Sequence, residues 1–306
     1  PGMRFEELRA RFDANPAAMT LLAQARTSAR RTVPALGAGA IGTYQTIGSL
    51  ALAAALVAWH DRDATYAHTA LQALSVAAVT TDWLQGSLDV PIYVGAGLTD
   101  LAAAVDLLTV SPLSSAEQDM ARVHLGRALT AVDGWVQGGG QVFLAFHEDN
   151  HGVRFASGVI TAAMMVPADV VRDEVLAYGL AQMNASIARQ TGGAEGWSEG
   201  STYFEYAFEV GAPALLAVDR AWPDGDHRCV RCPGYTLAAC VTAPQLLTRP
   251  SRDARVTGLM RWGASLESRA GWLFPIDDSR LMGAPSPLFE RLLGAAAYAR
   301  WSPTGP

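Results

Sequence analysis

The sequence predicts an all-α fold, specifically an incomplete (α/α)5-6 toroid of antiparallel helix hairpins. Three observations favour it. Apolar residues recur at helical spacing along nearly all of the 306 residues. The breakers between the periodic stretches, such as Gly138–Gly140 and Gly192-Gly193, are short. Residues 47–58 and 151–166 are apolar on almost every side, as expected of inner helices that an outer layer covers.

Eleven helices are predicted, which is too many for a four-helix bundle. Short connections between them favour antiparallel hairpins, arranged either as a closing toroid or as an open stack of helix pairs. We favour the toroid. The predicted helices cover residues 5–30, 39–60, 63–82, 96–109, 115–137, 151–166, 169–190, 202–220, 233–247, 253–267 and 285–300.

The chain shows no internal domain boundary. We therefore expect one toroid domain over residues 1–301, and residues 302–306, Ser-Pro-Thr-Gly-Pro, have the composition of a linker that begins there.

Composition limits the class of partner. Hydrophobic residues make up 50% and charged residues 17% of the chain, and the net charge is −6. An acidic chain without basic blocks argues against nucleic acid as a partner. The uncharged stretch Val33–Trp59 is long enough to cross a bilayer, but glycines and polar residues such as Tyr44 and Gln45 interrupt it. We interpret it as an enclosed helix and predict no membrane span.

Three cysteines lie close together in the last third of the chain. Cys229, Cys232 and Cys240 follow His227 in a His-x-Cys-x2-Cys pattern. Four Cys and His ligands would suit a structural zinc ion. The second half of the set lacks the usual paired spacing, so we favour one disulfide or free thiols and expect no cofactor.

Polar residues are concentrated in two segments of an Ala- and Leu-rich chain. The first is Phe146-His147-Glu148-Asp149-Asn150-His151-Gly152, just before an apolar helix. Asn150 is expected to cap that helix, which leaves His151 in its first turn. A histidine at the positive end of a helix favours its neutral form, which can accept a proton. The alternative is a cap with a satisfied histidine.

The second segment, residues 192–206, is a glycine-rich loop that leads into an aromatic helix start. Tyr203 and Tyr206 are three residues apart and share a helix face, and Glu199 lies one turn before Tyr203. Trp197 offers a flat face on which a sugar ring can stack. The alternative interpretation is a packed aromatic helix start.

Together, these segments resemble known enzymes. Asn150-His151-Gly152 is similar to the Asn-His-Gly stretch of heparinase II/III-like and alginate lyases. The segment Glu199–Tyr206 is similar to their Glu-Gly-x-x-Tyr-(aromatic)-x-Tyr stretch. Asp106-Leu107-Leu108 and Asp277-Asp278-Ser279 resemble two further segments of that group, in the same order. Asp149 departs from the pattern, because many members of the group have asparagine there.

The resemblance implies a polysaccharide lyase that cleaves a 4-linked uronic-acid glycan by β-elimination. It implies a periplasmic or secreted location, an acidic polysaccharide or oligosaccharide as partner, and a β-sandwich domain that would follow this chain. Its implied catalytic residues are Asn150 and His151, which neutralise the substrate carboxylate, and Tyr206 or Tyr203, which takes the C5 proton. Candidate substrate-binding residues are Trp197, Glu199, His147, Trp83, Tyr44 and Gln45.

Two other functions fit the same fold. A toroidal glycoside hydrolase would use two carboxylates as acid and base, and the available side chains are Glu148, Asp149, Glu195, Glu199 and Asp278. The second of these functions is glycan binding by a toroid that has no catalytic activity.

Overall fold

The structure is a computed structural model, and almost all of what it describes is helical. It describes residues 5–35, 41–79, 90–136, 149–167, 170–191, 196–198, 200–221, 227–229, 245–247 and 254–266. Within these ranges the elements are α1 (Phe5–Asp13), α2 (Pro16–Ser28), α3 (Ile41–Asp61), α4 (Ala64–Ala77), α5 (Val90–Leu108), α6 (Ser115–Trp135), α7 (Asn150–Met165), α8 (Val170–Thr191), α9 (Gly200–Ala221), β1 (His227–Cys229), β2 (Gln245–Leu247) and α10 (Ala254–Leu266).

The all-α prediction is confirmed, with four local corrections. Helix α4 ends at Ala77, five residues before the predicted residue 82. The single helix predicted over 5–30 is two helices, because Pro16 begins α2 and the Asn15 side chain caps it through the backbone N–H groups of Ala17 and Ala18. Helix α5 starts six residues before the predicted residue 96. The helix predicted over 233–247 is wrong at its end, since residues 245–247 pair with β1 as an antiparallel strand.

The helices alternate between two layers. Helices α3, α5, α7 and α9 pack side by side in chain order, and α4, α6 and α8 lie against them as a second layer. The connections from α3 to α4, from α5 to α6 and from α7 to α8 are short, so these pairs are antiparallel hairpins. Helices α3, α5, α7 and α9 are here called the inner helices, and α4, α6 and α8 the outer helices.

Local signals at the helix ends explain several boundaries. Ser114 and Glu117 form a reciprocal capping box at the start of α6. The Asp63 side chain accepts a hydrogen bond of 2.8 Å from the backbone N–H of Thr65 and so caps α4. Residue 196 has a φ of +130°, which glycine adopts without strain, and this turn lies just before α9.

The inner helices approach one another through small residues. A methyl group on Gly95 would overlap the backbone carbonyl of Arg154, and one on Gly158 would overlap the carbonyl of Gly95. A methyl on Gly48 would meet the backbone of Gly97 in the same way. The backbones of α3, α5 and α7 therefore touch, which a larger side chain at these positions would prevent.

Within the described residues, one helix is long and apolar enough to cross a membrane by length and composition, Pro91–Leu108 in α5. It packs between α3 and α7, and 61% of that stretch is buried inside the protein. Enclosed helices of a protein core meet the same test, so this one helix is weak support for a membrane span.

Candidate functional site

The inner helices meet within their first three turns. A methyl on Gly97 of α5 would meet the ring of Tyr44 on α3, and one on Gly95 would meet the backbone of Arg154 on α7. The side chain of Arg154 in turn reaches Tyr206 of α9. The described parts of the two polar segments, in residues 149–152 and 200–206, therefore lie close in sequence to these contacts.

The start of α7 is capped by Asp149, which corrects the expectation that Asn150 is the cap. The Asp149 carboxylate accepts hydrogen bonds of 2.9 and 3.2 Å from the backbone N–H groups of His151 and Gly152. Asn150 becomes the first residue of the helix and is 2% exposed, whereas His151 is half-buried. The departure of Asp149 from the lyase pattern thus has a structural use, because a carboxylate suits a helix N-terminus.

Arg154, one turn after Asn150, links α7 to α9. Its Nη1 donates to the backbone carbonyl of Tyr206 at 2.6 Å and to Oε1 of Glu209 at 2.7 Å. The guanidinium carbon lies 3.9 Å from the centroid of the Tyr206 ring, within the range of a cation–π interaction. Arg154 is 6% exposed, so this contact is shielded from water.

A carboxylate on α5 lies next to this contact. Asp100 accepts a hydrogen bond of 2.8 Å from the hydroxyl of Ser49 on α3. Burial raises the pKa of Asp100 to about 6, and the negative charge of Glu209 adds to the rise, while the Ser49 hydrogen bond and the charge of Arg154 oppose it. Each inner helix thus contributes a polar side chain to one group, here called the inner polar cluster: Ser49, Asp100, Arg154, Tyr206 and Glu209.

Four of these five residues are absent from the sequence-based candidates. Ser49, Asp100, Arg154 and Glu209 belong to no motif, and only Tyr206 does. A signal was nevertheless present for Arg154, which is the one Arg, Lys, Asp or Glu in the helix 150–165. A lone charge in an apolar helix is a buried ion-pair candidate.

The structure separates the two tyrosines. Tyr203 is at the surface, with 36% of its area exposed, and Tyr206 is half-buried beneath Arg154. Tyr206 therefore joins the inner polar cluster, whereas Tyr203 makes no such contact with the residues that the structure describes.

Two candidate substrate-binding aromatics occupy core positions. Trp197 is 2% exposed and packs edge-to-face on Phe208, with ring centroids 5.6 Å apart. This is the packed aromatic helix start of the alternative interpretation, and the ring offers no open face to a sugar. Tyr44 has no exposed surface, and burial raises the pKa of its phenol.

Gln45 lies on an open cleft. It is half-buried and lines a cavity of about 390 Å³ between the end of α2 and the start of α3. Ser49 of the inner polar cluster lines the same cavity. The cleft therefore adjoins the cluster through one side chain.

Several predicted residues lie outside the described part of the chain: Trp83, His147, Glu148, Glu195, Glu199 and Asp278. His227 and Cys229 belong to strand β1, and Cys232 and Cys240 are outside the described residues. The structure therefore tests neither the favoured disulfide or free thiols nor the alternative zinc site. Among the described residues, no three His, Cys, Asp or Glu side chains group in a way that could hold a metal ion.

In comparisons with known proteins, no family model and no curated protein matches the chain.

Proposed function

We propose that this chain is the toroidal catalytic domain of a polysaccharide lyase that acts on a uronic-acid glycan. The observation that carries the proposal is the contact between Arg154 and Tyr206, which joins the helix that starts with Asn150-His151 to the helix that starts with the tyrosine motif. The alternation of inner and outer helices supports a toroid, in which the pairs curve round so that their inner helices enclose a cleft.

The chemical difficulty of β-elimination is the weak acidity of the C5 proton beside a carboxylate. Removal of the proton places negative charge on that carboxylate, so hydrogen-bond donors must be aimed at it. His151 is our first candidate, because it is only half-buried and stands in the first turn of α7, where the helix end is positive. Asn150 stands in the same turn but is 2% exposed, so His151 is the better placed of the two motif residues.

Tyr206 is our candidate acid and base. Its phenolate takes the C5 proton, the C4–O bond breaks as the C4=C5 double bond forms, and the phenol returns the proton to the leaving oxygen. A free phenol has a pKa of about 10. A nearby cation favours the phenolate, and the guanidinium of Arg154 over the Tyr206 ring is such a cation, although Glu209 shares its charge.

The test is the formation of a conjugated double bond, followed by ultraviolet absorbance on alginate, heparan sulfate, hyaluronan and glucuronan. We expect Tyr206→Phe to lower kcat by about 100-fold or more, in line with the loss of a general acid or base. Tyr203→Phe is the matched control, with an effect of less than about threefold. A product without the double bond, or equal losses in the two variants, contradicts this assignment.

The inner polar cluster also favours a second candidate function, a glycoside hydrolase. Asp100 with a pKa of about 6 suits a general acid, and Glu209 is held beside Arg154 as a carboxylate. These differ from the carboxylates that the sequence offered for this chemistry. Release of reducing ends without ultraviolet absorbance, abolished by Asp100→Asn, supports the hydrolase and excludes the lyase.

A further inference from the structure

The lining of the cleft beside Gln45 carries a positive charge. Its polar side chains are Ser28, Arg31, Thr32, Gln45, Thr46 and Ser49. Arg31 is the one charged residue among those that line the described cavity, and none of them is a carboxylate. A ligand with a single negative charge therefore meets one cation and no carboxylate in the lining. Asp100 does not line the cavity, and it accepts the hydroxyl proton of Ser49, which does.

The neutral side chains specify the rest of the ligand. The Ser49 hydroxyl donates its proton to Asp100 at 2.8 Å, and the Thr46 hydroxyl donates to the carbonyl of Gly42 at 3.0 Å. With their protons engaged, both oxygens face a ligand as acceptors. The ligand should accordingly carry hydroxyl groups that donate, together with an anionic group for Arg31.

The size of the cleft fits a small molecule. A volume of about 390 Å³ lies at the lower end of the range for ligand pockets, roughly 300–1,000 Å³. A hydroxylated ring with one carboxylate meets all three conditions of size, charge and donors. Ser49 lies on both the cavity and the inner polar cluster, so the ligand would sit beside the proposed reaction site.

We propose that this cleft is a binding subsite for a uronate residue, held by Arg31 at its carboxylate and by Gln45, Thr46 and Ser49 at its hydroxyls. The substrate class rests on the proposed function, since the lyase requires a uronate chain. The site itself is distinct from the Tyr206 contact and does not depend on turnover.

The experiment measures binding of glucuronate and mannuronate by ligand-observed NMR to the chain as it stands. We expect Arg31→Met to weaken binding of at least one of them by about tenfold or more, as the loss of a charge-assisted contact implies. Arg30→Met is the matched control, because Arg30 is exposed like Arg31 but does not line the cleft. Glucose, without the charge, and acetate, without the hydroxyls, should bind at least tenfold more weakly.

The subsite is overturned if Arg31→Met leaves binding unchanged, if Arg30→Met weakens binding equally, or if acetate binds as well as the sugar acids.

A Tyr206→Phe variant separates the subsite from the chemistry, since it should keep uronate binding. A uronate tetrasaccharide that binds more tightly than the monosaccharide identifies a subsite for a glycan chain. A monosaccharide that binds as well as the tetrasaccharide overturns that role. Intact uronate binding with no unsaturated product would refute the lyase alone.

Discussion

The guanidinium of Arg154 lies over the ring of Tyr206, 3.9 Å from its centroid, and the same side chain donates to the Tyr206 backbone carbonyl. One residue thus fixes both the main chain and the ring of a tyrosine on a neighbouring helix. The arrangement is maintained by Glu209, whose carboxylate balances the buried charge. Three groups from two helices therefore stabilise one another, with Arg154 in contact with both of the others.

We expect Arg154→Met to lower the free energy of unfolding by about 2–4 kcal/mol, because Glu209 then remains as a partly buried carboxylate without its cation. Urea denaturation measures this. The double variant Arg154→Met/Glu209→Gln should lose less than the sum of the two single variants, since the uncompensated charge is gone. Additive losses would show that the two side chains are not coupled.

Asp100 should make the protein less stable as the pH rises. Its pKa is about 6 in the folded protein against about 3.9 in the unfolded chain. Between these values the folded state holds the extra proton, so the free energy of unfolding falls as pH increases and levels off above about pH 6. Asp100→Asn should therefore stabilise the protein at pH 8 by about 1–3 kcal/mol and have little effect at pH 4. A gain of equal size at both pH values contradicts the ionisation argument.

The contact between α5 and α7 should not tolerate a methyl group. Gly158→Ala places one against the carbonyl of Gly95, so we expect a loss of about 2 kcal/mol or more in unfolding free energy. Gly134→Ala in α6 is the matched control, because nothing lies within 4 Å of the new methyl. There the higher helix propensity of alanine should add about 0.5–1 kcal/mol. A neutral Gly158→Ala variant would refute the close approach of the two backbones.

Acid should weaken the attachment of α1 and α2 to α3. Asp61 accepts two hydrogen bonds from Arg26, at 2.6 and 3.0 Å, and one ring nitrogen of His60 lies 2.6 Å from it. The other ring nitrogen lies 2.6 Å from Asp13 of α1. The hydrogen bond from Arg26 lowers the pKa of Asp61, so its stabilising effect is complete above about pH 4 and is lost as the pH falls through the folded-state pKa.

Thermal unfolding of Asp61→Asn tests this. The variant should be less stable than the wild type at pH 7 by about 1 kcal/mol or less, since the pair is partly exposed, and the difference should shrink as the pH falls through the folded-state pKa of Asp61. Asp119→Asn is the control, because the Asp119–Arg122 pair is at the surface and should contribute almost nothing. A difference in stability that persists at pH 2 would show that Asp61 stabilises the protein through packing and not through its charge.

Most helix positions could be predicted from the sequence because helix signals are local. The 3.6-residue spacing of apolar side chains locates α3 to α9 to within a few residues, apart from the start of α5 and the end of α4. Where prediction went wrong, a local rule had been underweighted. Asn15-Pro16 is a cap followed by a favoured first residue, and it divides the predicted helix 5–30. Asp149, immediately before Asn150, is the stronger cap candidate because its carboxylate also suits the positive helix end.

The site itself could be predicted only in part. The motifs identified the helix starts that carry His151 and Tyr206, because those segments differ in composition from the chain around them. They could not identify Ser49, Asp100 or Glu209, because the hydrogen-bond partners of these side chains lie 50 or more residues away in the sequence. For the same reason the aromatic pattern could not distinguish Trp197, which packs in the core, from Tyr203 at the surface.

The sequence by itself determined that this chain is helical, where most of its helices begin and end, and which two segments are rich in polar and aromatic residues. Those properties depend on residues within a few turns of one another. Only the tertiary structure decided that Arg154 meets Tyr206, that Ser49 meets Asp100, and that Trp197 is buried. Such contacts follow from which helix faces pack together, and the backbone approach at Gly95 and Gly158 that sets this packing is a long-range property of the folded chain.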